Sequence, residues 1–143
     1  MPSQPTSTGI VVGSVAAAAT TGALIAMGGR LGSAGIPFAA ISAAIFRRTL
    51  SGGAVGLVFT GLILHAALIF VWSAIFVWVV QRLRWRTSVA AAVVALAAFC
   101  FSWVIAWSLG GGLSSVLPLG DRLVYALVLT VALVVGMRFA FLT

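Results

Sequence analysis

GGAVGLVFTGLILHAALIFVWSAIFVWVV, then QRLRWR, then TSVAAAVVALAAFCFSWVIAWS: residues 52–108 decide the fold. The first run carries no charge and, at ~1.5 Å per residue, exceeds a ~30 Å hydrocarbon core, so it is tilted or begins among headgroups. A six-residue basic turn follows, with Arg82, Arg84 and Arg86 beside Trp78 and Trp85. It is too short to do more than reverse the chain. Residues 87–108 are a second apolar run with small residues at Ala91, Ala95, Ala98, Ser102 and Ala106. This is a transmembrane helical hairpin.

Two more runs extend it. Residues 10–28 are apolar and uncharged, and no positive side chain precedes them as in a signal peptide, so they read as an uncleaved first transmembrane helix. Gly9, Gly13 and Ala17 form a small stripe on it, suited to close helix contact. The last span runs from 122 to 141, with Asp121 expected as its helix cap and Arg138 near its end. The spans are therefore 10–28, 54–80, 87–108 and 122–141. The predicted fold is an all-α membrane protein, one domain of four helices in an antiparallel bundle. Between the first two spans, Phe38, Ile41 and Ile45 recur at helical spacing. A short helix in the interface plane, apolar face toward lipid, fits them, as does a plain loop.

Composition agrees. The chain has 143 residues, 63 % hydrophobic and 6 % charged, with mean hydropathy +1.28. Its charges are eight arginines and Asp121, for a net +7. A soluble domain carries roughly 25 % charged residues to face water. Arginine without lysine, among much alanine and glycine, points to a GC-rich bacterial genome and hence to the bacterial inner membrane. One cysteine excludes an internal disulfide, and one carboxylate excludes paired-carboxylate catalysis. The arginines sit in groups at the edges of apolar runs, which suits lipid headgroups rather than nucleic acid. Arg82, Arg84, Arg86, Arg47 and Arg48 are the candidates for binding lipid or a partner. With the N-terminus inside, four arginines lie on each side; the triplet abuts two span ends, so both termini are expected in the cytoplasm.

His65 is the only histidine and lies at hydrocarbon depth, where an ionisable residue is a functional candidate by default. Gly61 is one turn away on the same face, and Trp72 is the deepest tryptophan. The Gly61–His65 pair resembles the small-x-x-x-His pattern of bacterial light-harvesting helices. That resemblance implies a bacteriochlorophyll, or similarly a haem, on His65. The plainer reading is a neutral imidazole bonded to a neighbouring helix. Counting from the basic turn puts Ser102 and Cys100 near its depth, with Ser102 the expected partner.

Phe46-Arg47-Arg48, Gly61, His65, Phe70, Trp72, Phe76 and Leu117-Pro118-Leu119 together resemble a loosely defined group of small, uncharacterised four-helix bacterial membrane proteins. That group carries a further histidine in its last helix, which residues 125–138 lack. The resemblance implies topology, not activity. The expected function is thus a non-catalytic accessory subunit of a larger membrane complex, photosynthetic or respiratory. It would need no cofactor, and its partners would be lipids and other membrane subunits. The alternatives are a small oligomeric transporter or channel, or a pigment- or haem-binding protein using His65.

Overall fold

The structure, a computed structural model, describes residues 5–46 and 55–142. It contains α1 (Pro5–Arg30), α2 (Ile36–Phe46), α3 (Val55–Leu83), α4 (Thr87–Leu109), α5 (Leu113–Val116) and α6 (Leu119–Ala140). Four of these, α1, α3, α4 and α6, are long and apolar enough to cross a membrane. The protein is a multi-pass all-α membrane protein.

Lipid leaves no helix free to spare its backbone hydrogen bonds, and the chain turns where residues permit it. Gly110 ends α4 in the left-handed conformation (φ 70°), its N–H donating to the Ala106 carbonyl at 2.9 Å. Arg84 takes a left-handed backbone (φ 53°) in the reversal between α3 and α4. Asp121 does not cap α6. Pro118 precedes the helix, and Asp121 lies in the first turn, where its charge still faces the positive end of the dipole. There its Oδ1 accepts from Nη2 of Arg30 at 2.7 Å, tying the end of α1 to the start of α6.

The centre of the bundle is α1. Val12, Ala16, Thr20 and Leu24 are buried along its length, and it packs chiefly on α6 and α3. A Cβ at Gly136 would lie 3.0 Å from the Val12 Cα, so the α1 and α6 backbones run close together. Gly136 near the end of α6 meets the beginning of α1, and Asp121 near its start meets Arg30. Thus α1 begins and α6 ends at the same end of the bundle, together with the α3–α4 turn.

Two placements differ from expectation. The short helix exists, but α2 buries Pro37, Phe38, Ala40, Ser42, Ala43 and Ala44 instead of one lipid-facing stripe. It crosses the first half of α3, where Ser42 Oγ donates to the Leu57 carbonyl at 2.6 Å. A segment apolar on every side has no polar face to hold it at the water boundary. Second, α4 leans on α6 more than on α3, its hairpin partner. The buried residues of α4 are Ala90, Ala91, Val94 and Ala95, all in its first half. Beyond them Phe101, Ile105 and Leu109 are bulky, and α3 and α4 separate.

Candidate functional site

Two of the buried polar residues, Thr20 of α1 and His65 of α3, meet in the interior. The Thr20 hydroxyl donates to the Ala16 carbonyl at 2.7 Å, the usual bond of a helical threonine to the preceding turn. Its oxygen lies 3.1 Å from Nε2 of His65. The Tyr125 hydroxyl also bonds the Thr20 side chain. The Thr20 hydroxyl is thus met by side chains of two other helices. It joins α1, α3 and α6. The Phe38 ring meets His65 edge-on at 5.9 Å and the Tyr125 ring lies 6.1 Å away, so His65 is enclosed and 2 % exposed.

The partner expected for His65 was Ser102, with Cys100 second. Neither is. Ser102 Oγ donates to the Phe99 carbonyl at 2.7 Å, and Cys100 is exposed on the outer face of α4. Depth counting along the hairpin assumed that α3 and α4 stay together, and they part. The same count from the opposite end finds the real partner. Thr20 lies ten residues before Arg30 (30 − 20) and His65 ten after Val55 (65 − 55), at the ends of α1 and α3. Thr20 and Thr21, with Ser14 the hydroxyl residues of an otherwise apolar span, were the available signal; Tyr125 and Phe38 had none beyond being aromatic.

Where α3 and α4 separate they leave a cavity of about 410 Å³. His65, Leu68 and Trp72 of α3, Phe101 and Ser102 of α4 and Tyr125 of α6 line it, while α2 and α5 close one end. Trp72 and Phe101 meet edge-on at 5.8 Å across the gap. Between the helices the cleft opens outward past Val71, 55 % exposed, and Phe101, 41 % exposed. In a bilayer that opening faces lipid chains. Its walls are almost wholly apolar.

His65 and Trp72 therefore share one cavity. Gly61 does not line it. A Cβ there would meet the Phe38 carbonyl oxygen at 1.8 Å, so the space beside Gly61 is filled by the α2 backbone and offers nothing to a macrocycle. On α1, Gly13 packs under the Phe70 ring (2.4 Å from a built Cβ), and Ala17 packs against the core. Gly9 meets nothing within 4 Å, so the stripe makes contact from Gly13 onward. Arg82, Arg84 and Arg86 are exposed around the α3–α4 turn. Arg47 and Arg48 lie outside the described residues. Arg122 sits over the Trp103 ring, 5.7 Å from its centroid, at the same end as Arg30. Among the described residues no three His, Cys, Asp or Glu side chains come together as a metal site.

Compared with known proteins, the chain matches no family model, no curated protein and no solved structure.

Proposed function

We propose that this protein is a small, non-catalytic binding subunit of a bacterial inner-membrane complex, and that its α3–α4 cleft holds the apolar part of a lipid-phase molecule. The cleft carries this reading. Its volume, about 410 Å³, falls within the ~300–1,000 Å³ of small-molecule pockets. Along α4 it extends from Ala98 to Leu109, eleven residues or roughly 16 Å. That is about one leaflet of a ~30 Å core, and hence room for one lipid chain. Entry is sideways, from the bilayer. The chemistry around it supports holding rather than reacting: Asp121 is engaged by Arg30, Nε2 of His65 by Thr20, and Cys100 faces outward.

An energy-transducing assembly, whose mobile carriers live in the lipid phase, gives such a cleft a use. The arginine distribution supports an orientation as well. Arg82, Arg84, Arg86 and Arg138 are exposed at the end where α1 begins and α6 ends; the eight arginines divide equally between the two sides, and the triplet against two span ends favours this one as cytoplasmic under the positive-inside rule.

The test is purification in mild detergent, followed by solvent extraction and mass spectrometry of what remains bound. The parent protein should retain one apolar species above its share in the membrane. Ala67→Phe, which places a ring in the cleft wall, should lose it. If both proteins carry only bulk lipid, in bulk proportions, the binding reading fails. Migration of the parent as a lone chain on a native gel would overturn the subunit reading.

A further inference from the structure

Arg122 differs from the other arginines of this chain. Among the described residues it is the only arginine that is not exposed. It lies one turn into α6, and its Nε is buried without a hydrogen-bond partner, on the wall of a void of about 30 Å³ between α4 and α6. The stem is thus clamped between two helices, which fixes the guanidinium beyond it over the Trp103 ring, 5.7 Å from the centroid. A ring face attracts the cation without supplying the oxygen acceptors that its N–H groups take. Nor can a side chain of this protein neutralise it. Asp121, the only acidic residue in the sequence, is held by Arg30 at 2.7 Å. Trp103 and Trp107, one turn apart near the end of α4, are both exposed. Exposed tryptophans at a span end mark the headgroup layer, and lipid phosphates lie in that layer.

We propose that Arg122, with Trp103 as its platform, binds the phosphate of an anionic phospholipid. The guanidinium presents a planar fork that fits two phosphate oxygens at once. At the edge of the hydrocarbon such a charge-assisted bond is stronger than it would be in water. A zwitterionic headgroup carries the same phosphate, but its own ammonium already offsets the charge that Arg122 needs to meet. An acidic partner would have to bring a carboxylate into a layer where phosphates are already dense. The site lies between α4 and α6 and does not depend on the α3–α4 cleft.

The experiment is native mass spectrometry of the full protein in non-ionic detergent, titrated with dioleoyl phosphatidylglycerol or dioleoyl phosphatidylcholine. The parent should retain one phosphatidylglycerol at concentrations where the choline lipid is lost. Arg122→Gln should weaken that first site roughly ten- to hundredfold, the value of hydrogen bonds to a charged group. Arg86→Gln removes an exposed charge at the opposite end and should change it less than about fivefold, the value of one arginine near an anionic surface. Arg122→Lys keeps the charge without the fork and should fall between them. If Arg122→Gln does not fold, Arg122→Lys and the two-lipid comparison on the parent decide. Equal retention of the two lipids by the parent, or equal losses in Arg122→Gln and Arg86→Gln, would overturn the proposal. Displacement of the lipid by millimolar inorganic phosphate would assign the site to the free anion instead, and loss of a co-purifying acidic protein, rather than of lipid, in Arg122→Gln would assign it to a partner.

Discussion

Replacing Gly61 by alanine should be the most damaging single-methyl change in this protein. The added Cβ would lie 1.8 Å from the Phe38 carbonyl oxygen, whereas ordinary contact begins near 3.4 Å, so α2 must retreat from α3 by about 1.6 Å. The obstacle is backbone, which cannot rotate away as a side chain can. Intrinsic propensity works in the other direction: in a helix interior alanine is favoured over glycine by ~1 kcal/mol. Overpacking of a well-packed site costs ~1–3 kcal/mol, and a backbone clash this deep sits at the upper end. The net expectation is a loss of about 1–2 kcal/mol, with α2 displaced and the Phe38–His65 ring contact opened. Gly56→Ala is the control. It is on the same helix and its Cβ meets nothing within 4 Å, so it should be neutral or stabilising. Reversible unfolding in mixed micelles of rising denaturing-detergent fraction measures both. Gly61→Ala as stable as Gly56→Ala would refute the close α2–α3 approach. Gly13→Ala should fall between them, because the Phe70 ring it meets is partly exposed and can turn aside.

Three further outcomes are expected. Thr20→Val removes the hydroxyl that bonds both His65 and Tyr125. Membrane hydrogen bonds average ~0.6 kcal/mol with a maximum near ~1.7, and two lost at one node should cost about 1–2 kcal/mol in the same unfolding assay; Thr20→Ser, which keeps the hydroxyl, should recover most of it. Asp121→Asn should cost less than ~1 kcal/mol, because Arg30 is 66 % exposed and exposed ion pairs contribute little, and the difference should shrink at ~1 M salt, where the screening length is ~3 Å. A reporter fused at the C-terminal end should score cytoplasmic, and a periplasmic score would reverse the orientation drawn from Arg82, Arg84, Arg86 and Arg138.

The four spans were legible because crossing a membrane is a one-dimensional requirement, met by length and hydropathy alone. Expected limits of 54–80 and 87–108 became Val55–Leu83 and Thr87–Leu109. Which helix touches which was far less legible. In water, an amphipathic stripe announces the buried face; in lipid, the outside is as apolar as the inside, and that signal disappears. Small residues show where backbones can approach, without naming the neighbour. Gly61 marked a true close approach, but to α2 rather than to a macrocycle, and Gly13 one to Phe70, while Gly9 marked none. His65 was legible as a buried polar group in need of a partner. Its partner was not, because chain order suggested α4 and the fold supplied α1.

That substitution of partners explains why the cleft exists. Thr20, His65 and Tyr125 bind α1, α3 and α6 into a three-helix unit around one hydroxyl. The fourth membrane helix has no polar bond to that unit at this depth; Ser102 turns back to its own helix. What holds α4 is the alanine-rich first half against α6, and there it packs closely. Past Ala95 the small residues no longer dominate, and Phe101, Ile105 and Leu109 prop α4 away from α3. In water such a gap would collapse, since exposed apolar walls attract one another. In a bilayer the walls lose nothing by facing lipid chains, so the gap persists at little cost, with the buried histidine on its inner wall. A sequence can keep a cleft of this kind open by the size of a few side chains on one face of one helix, and the same residues then decide how wide a guest it admits.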